Sequence, residues 1–188
     1  MIKELVIKNR SVRRYDNSVK LSRELLSELV DIGRLCASAG NLQRIRFATV
    51  CEEQNVRAVR ELLGFAAYLK DWDGPNETEN PSAYVVMLSE ADDANLFVDI
   101  GIAGGAMLLG AVERGYNGCI FRSFDKEKLS LLLGIDGLTP RLVISLGKAA
   151  ERVEITETVG DDIKYYRRSD DVHVVPKRPL PEVLIIEK

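Results

Sequence analysis

Histidine is almost absent from this chain: His173 is the only one in 188 residues. A zinc site built from closely spaced His and Cys is therefore excluded, and no metal site is expected. No local Ser/His or Cys/His pair offers itself for nucleophilic catalysis, although distant residues can still assemble one. Cysteine is scarce and odd in number. Cys36, Cys51 and Cys119 show no CxxC spacing, which is no disulfide framework and fits a reducing compartment, so the expected location is cytoplasmic. Each lies in an apolar run, where a cysteine is most simply a small core hydrophobe. The first residues, Met1-Ile2-Lys3-Glu4-Leu5, lack the apolar stretch of a secretory signal. The longest apolar run, residues 100–112, is short of a bilayer's span and rich in Gly and Ala, so no membrane partner is expected. An excess of basic charge is missing too. Lys and Arg number 26 against 29 Asp and Glu, a net charge of −3, which argues against a nucleic-acid binder. An enzyme so poor in acid–base side chains points to a cofactor that carries the reaction.

What is present suits one ordinary globular domain covering residues 1–188, with 46% hydrophobic and 29% charged residues. The pattern predicts helices over residues 2–8, from a Ser22 cap to about Ala37, over 56–65, and from an Asp125 cap to Leu133, stopped by Gly134. Strands are expected at 46–51, 83–88, 118–121 and 141–147, and a polar loop at 71–81. A capping box at Ser89 and Asp92 introduces a long helix reaching about Gly115, apolar all round and thus buried on every side. Its glycines, Gly101, Gly104, Gly105 and Gly110, fit the close approach of a backbone or a flat ring. They match no phosphate loop. The order of elements predicts an α+β fold of two or three layers, not a regular βαβ alternation. Residues 150–182 are charged, carry prolines and show little core period, yet the chain then turns apolar at residues 183–186. That terminal strand either packs on its own domain or wraps a partner subunit. An all-apolar central helix favours the partner.

Two segments carry the chemistry. Arg10-Ser11-Val12-Arg13-Arg14-Tyr15 sets three guanidinium groups and a hydroxyl within five residues, and arginine forks match phosphate oxygens in pairs. Ser38-Ala39-Gly40-Asn41-Leu42-Gln43 supplies the amide and hydroxyl donors and acceptors that a flavin's pyrimidine edge and ribityl chain require. Together they read as a cradle for a phosphorylated, amide-rich ligand such as FMN. The plain alternatives are a solvated arginine cluster and a helix end at Ser38 and Asn41. Trp72 is either a lid over the substrate or a surface aromatic. Tyr165, Tyr166, Arg167 and Arg168 bind an acceptor or nicotinamide phosphate, or pack at an interface.

In this order the segments resemble the FMN-dependent nitroreductase family. The Arg10–Tyr15 stretch is similar to that family's RRSxRxF-type opening. Residues 37–47 are similar to its PSxxNxQPWxF motif, with Ala37 for the family's Pro and Arg44-Ile45 for its Pro-Trp, a departure that touches substrate preference. Residues 99–118 resemble its central helix and following turn, 142–148 its late strand, and 174–180 its closing basic motif. The resemblance implies a three-layer α/β/α fold with a mostly antiparallel central sheet and a buried small-residue helix. It implies a homodimer with FMN at the interface and an arm from about residue 150 wrapping the partner. NADH or NADPH would reduce the flavin, which would then reduce nitroaromatic, quinone or related small-molecule acceptors. By the same resemblance Arg10 and Arg14 hold the phosphate or the pyrimidine carbonyl, Ser11 hydrogen-bonds the phosphate, Arg13 belongs to the same cofactor-binding cluster, and Lys148 or Arg178 completes the charge. Ser38, Asn41 and Gln43 reach the ring and ribityl chain, and the backbone at Gly118 and Cys119 approaches the ring edge. No side chain is assigned a catalytic role. The competing function is a dimeric flavin-binding carrier or sensor without efficient turnover.

Overall fold

The longest helix of this computed structural model, which describes residues 1–188 apart from Lys70, Val159 and Lys188, is α4 (Ala94–Glu113). Asp93 starts it by accepting the Leu96 N–H at 3.0 Å. The cap expected at Ser89 is not used. Arg141 clamps the Ser89 and Glu90 carbonyls and keeps this stretch as the end of a strand, so the helix begins further on. At 20 residues α4 is long and apolar enough to cross a bilayer, unlike the shorter run within it, but half of its residues are buried in the protein.

The earlier elements are α1 (Ile2–Lys8), β1 (Tyr15–Asp16), α2 (Arg23–Arg34), a 3-10 turn (Ala39–Asn41), β2 (Arg46–Val50), α3 (Glu53–Arg60), a second 3-10 turn (Glu77–Glu79) and β3 (Ala83–Ser89). After α4 come β4 (Asn117–Phe121), α5 (Lys126–Leu133) and β5 (Thr139–Ala149). β5 is the spine of an antiparallel sheet. β3 pairs with it from Thr139 to Leu146, β4 with residues 143–147 and β1 with Lys148 and Ala149, while among the described residues β2 pairs only with β3 and forms an edge. Side chains alternate between faces, as a strand requires. Val85, Met87, Leu142, Ile144 and Leu146 join α2 and α4 in one core. Tyr84, Val86, Leu88, Val143 and Phe121 join α3 and α5 in the other. The result is the expected three layers. α2 stops before Ala37, and α3 stops well before residue 65 because Gly64 donates to the Ser123 carbonyl at 2.8 Å and draws the chain toward Phe124.

Three expectations need correction. First, α4 is not covered on every side: Val98, Gly101 and Ile102 are exposed, and a Cβ on Gly101 or Gly105 would meet nothing within 4 Å. Its other face is packed on the sheet, where a Cβ on Gly104 would make ordinary contact with Ile144 at 3.5 Å. Second, residues beyond 150 form a small mixed sheet. β6 (Val153–Glu157) runs parallel to β8 (His173–Lys177), which pairs antiparallel with β7 (Tyr166–Arg167). Third, residues 183–186 form no strand. A turn of helix, α6 (Leu180–Val183), with proline in its first turn, takes up Val183; Leu184, Ile185 and Ile186 are exposed. A strand needs a pairing edge, and among the described residues none runs beside this tail.

Gly118 separates packing from propensity. A Cβ there would press on the Ser145 carbonyl and lie 2.6 Å from Leu108. Gly118→Ala is expected to destabilise the protein by about 1–3 kcal/mol in urea unfolding. Gly101→Ala, facing open space in a helix, is expected to leave a monomer equally or more stable, by up to about 1 kcal/mol. Equal effects of the two would contradict this packing.

Candidate functional site

The arginine segment runs along the end of the sheet. Ser11 bridges to Gly118, whose carbonyl accepts the Val12 N–H at 3.1 Å. Tyr15 is buried against Gly147, where a Cβ would lie 2.6 Å from its ring. Its hydroxyl donates to the Val12 carbonyl at 2.5 Å and sits 2.6 Å from Ser145 Oγ. Burial holds this phenol well above its ordinary pKa, so it stays neutral and keeps donating. Arg10, Ser11, Arg13, Arg14, Gly118, Cys119 and Lys148 thus converge at one end of the sheet.

They do not converge on one task. Arg14 is held by carboxylates: Nε and Nη2 both lie 2.5 Å from Glu79 Oε1, and Nη1 lies 2.5 Å from Asp171. These partners, Glu79 first, raise its pKa further. The Arg13 N–H donates to Glu151 Oε1 at 2.5 Å, and its guanidinium stands over the Tyr165 ring at 5.3 Å. Arg10 donates through Nη2 to the Val6 carbonyl at 2.8 Å, but its buried Nε has no partner among the described residues. Burial lowers its pKa without removing its charge. Arg10 lines a groove of about 440 Å³ with Lys8, Gly115, Asn117 and Glu151, and Lys148 Nζ donates to the Gly115 carbonyl at 3.2 Å. The Cys119 thiol is buried, which raises its pKa, so it packs as a small hydrophobe.

The amide-rich loop lies elsewhere. Gly40, Asn41 and Gln43 are all left-handed, with φ of 57°, 53° and 48°, an arrangement costly for the two non-glycines. Two bonds hold it. Asp99 Oδ1 accepts the Ala39 N–H at 2.9 Å, and Ser38 Oγ accepts the Gln43 N–H at 3.3 Å. Asp99 is buried and its Oδ2 lacks a partner. It is a site-building residue that the sequence reading passed over, although a lone acid within an apolar helix is a visible signal. Ser38, Gln43 and Asp99 line a mostly apolar cavity of about 350 Å³ together with Gly33, Phe47 and Ala103. Asp99, beside the loop, and Val112, in the basic groove, are about 20 Å apart along α4. Arg178 belongs to neither group: it pairs with Asp161 and Glu182 and donates to the Gly160 carbonyl.

Trp72 is fixed by its own domain, edge-on to Phe65 at 6.0 Å and beneath Arg167 at 5.4 Å. Tyr165 stacks among Tyr68, His173 and Arg13. Tyr68 and Trp72 line a cleft of about 590 Å³ together with Arg14, Arg167 and Asp171. Arg168 is taken up by Asp170 and Glu154.

The profile of the family described as "Nitroreductase family" matches residues 6–148, more than half of the chain. The chain belongs to the nitroreductase family. It is similar to Bacillus subtilis YodC, provisionally named an NAD(P)H nitroreductase, at 25% identity over 75% of this chain and 86% of that protein. Among solved structures it is similar to a provisionally named NAD(P)H:FMN oxidoreductase of Staphylococcus epidermidis: 18% identity, TM-score 0.69, covering 88% of this chain and 95% of that one. A provisionally named nitroreductase of Exiguobacterium sibiricum, solved in complex with FMN, gives 19% identity and TM-score 0.66, covering 80% and 89%. At these identities the structures establish the nitroreductase fold.

In this nitroreductase-family chain the single histidine has a structural consequence. His173 is buried, its Nδ1 is unpartnered, and burial with Arg13 and Arg167 lowers its pKa to about 4. The unfolded chain gains its proton near pH 6.5 and the folded one only near 4. The stability present above pH 6.5 is therefore lost as pH falls through that window and levels off below it. His173→Gln is expected to lose on the order of 1 kcal/mol less stability than wild type between pH 7 and pH 5, discounted for solvent screening. Urea midpoints at the two pH values check this, and parallel losses would contradict it.

Proposed function

We infer that the protein is a homodimeric, FMN-dependent oxidoreductase that uses NADH or NADPH to reduce nitroaromatic, quinone or related acceptors. One observation carries this reading. A basic groove and an amide-rich loop, the two surfaces a flavin mononucleotide needs, stand about 20 Å apart on a helix whose outer face is apolar and bare. A second copy packed on that face about a two-fold axis brings the groove of one chain toward the loop of the other. The exposed residues Val98, Ile102, Ile185 and Ile186, and the free edge of β2, are what such a copy and its C-terminal arm would cover.

The residues fit the group. The buried, unpartnered Nε of Arg10 is a donor waiting for an anion, with Lys148 nearby and Ser11 on the same segment. In this assignment Arg10, Ser11 and Lys148 hold the phosphate. Arg13 lends positive charge that favours a reduced, anionic ring. Ser38, Asn41 and Gln43 hydrogen-bond the polar edge, and Gly118 and Cys119 allow close approach. Arg178 joins only by leaving Asp161 and Glu182, and Arg14 fixes the segment rather than the ligand. FMN bound there would supply two-electron hydride transfer, which asks no acid–base pair of the protein. FMN and NAD(P)H also appear in the names of the similar proteins.

The purified protein is expected to be yellow with one non-covalent FMN per subunit and to oxidise NADH or NADPH in the presence of a quinone. Arg10→Ala should weaken FMN by about 10- to 150-fold in titration of the apo-protein, the worth of one charge-assisted hydrogen bond. Arg168→Ala should leave affinity unchanged. A colourless protein that takes up no added FMN would sink the reading, and flavin uptake without NAD(P)H oxidation would leave a carrier. Removing residues 182–188 should shift sedimentation from dimer toward monomer and loosen FMN. A full-length monomer that retains FMN would refute the shared site.

A further inference from the structure

The side chain of Glu151 is only 2% exposed, although the residue lies just past the end of β5, two positions beyond Ala149. A buried carboxylate is costly unless its oxygens are satisfied. Here Oε1 accepts the N–H groups of both Arg13 and Arg14, at 2.5 and 3.2 Å, and Oε2 accepts from Arg167 Nη2 at 2.9 Å. One residue earlier, the Ala150 N–H donates to the Arg14 carbonyl at 2.9 Å. The stretch 148–150 therefore grips the arginine segment through its backbone, whatever the Glu151 side chain does. The grip has a direction. With the Arg13 and Arg14 amides turned onto Glu151, and the Arg14 guanidinium onto Glu79 and Asp171, the preceding Arg10 and Ser11 are left outside these bonds, with Arg10 in the basic groove. Glu151 borders that groove, but Arg167 and two amide dipoles balance its charge, so Arg10, Lys8 and Lys148 keep a cationic excess there.

We propose that Glu151 is a positioning residue for phosphate recognition: by accepting the Arg13 and Arg14 amides it sets Arg10 and Ser11 to face the phosphate of the cofactor. The proposal rests on the FMN reading above. It concerns geometry rather than charge, because the two amides need an acceptor at a set reach and not an anion as such. Glutamine keeps the reach and one accepting oxygen for the two amides; it gives up the acceptor that Arg167 Nη2 uses, while Arg167 keeps its pair with Asp171. Aspartate keeps the charge and falls one methylene short.

The test compares FMN with riboflavin, which lacks only the phosphate. Apo-protein of the wild type, Glu151→Ala, Glu151→Asp and Glu151→Gln is titrated with each flavin, and the ratio of the two affinities is read. A loss that is merely structural weakens both flavins alike and leaves the ratio unchanged. Glu151→Ala and Glu151→Asp are expected to lower the preference for FMN at least tenfold, and Glu151→Gln to hold it within threefold of wild type. If Glu151→Ala does not fold, the Asp and Gln variants decide. Retention by Asp with loss in Gln, an unchanged ratio in Ala and Asp, or a raised preference for FMN in any variant would overturn the proposal. Wild-type protein that binds neither flavin would instead overturn the FMN reading, before the variants are compared.

Discussion

The packing of α4 against the sheet is the constraint from which the rest follows. Met107, Ala103 and Ile100 share one core with Met87 and Ile144, and Gly104 faces Ile144 across it. A second close approach is at Gly110, where a Cβ would displace the Ile32 side chain of α2. With its inner and lateral faces fixed by the sheet and α2, the helix has one direction left to present, and that face is apolar. Close-packed interiors do not slide. Both surfaces of the candidate site are therefore anchored to one rigid rod: the amide-rich loop through Asp99, the basic groove through Val112 and Gly115.

The charged residues around the N-terminal segment form the second layer of organisation. Arg14, Glu79, Asp171, Arg167 and Glu151 make a chain of ion pairs that ties the segment to the 3-10 turn at Glu77–Glu79 and to the small C-terminal sheet. Partly buried pairs of this kind add little net stability, because desolvation offsets their attraction, but breaking one strands a charge. Their effect is to select one conformation. Three arginines close together in sequence therefore do three jobs: Arg14 is a strut, Arg13 stacks on Tyr165, and Arg10 keeps an unanswered donor.

The sequence told these features apart unevenly. α5 was legible from its Asp125 cap and Gly134 stop, because both signals act within one turn. β3 and β5 were legible from apolar runs. The start of α4 was not, since Ser89 and Asp93 both satisfy a local capping rule and Arg141, about fifty residues on, decides between them. The small sheet was hidden because strands of two to five charged-flanked residues carry no period and pair by distant contacts. The same limit applies to the site. The residue types for an anion and an amide-rich ligand were plain. Which arginine is free depends on Glu79 and Asp171, 65 and 157 residues from Arg14, and on Glu151, 138 residues from Arg13. An apolar pattern around a helix also says that it is to be covered, not which chain covers it.

The division of the candidate site is a property of the helix, not an accident of its loops. The Ser38–Gln43 turn holds two non-glycine residues in left-handed conformations, each costing on the order of 1 kcal/mol. Such strain persists only where neighbours overdetermine it, and the neighbour here is Asp99, buried at the far end of α4 from Arg10. A loop so fixed cannot swing about 20 Å to meet the groove of its own chain. Either surface alone satisfies only part of a phosphorylated flavin. On the dimeric reading, the bare stripe of Val98, Gly101, Ile102 and Gly105 is then a functional element as much as a packing one, because its contact with a second copy sets the distance between the two surfaces that share one ligand.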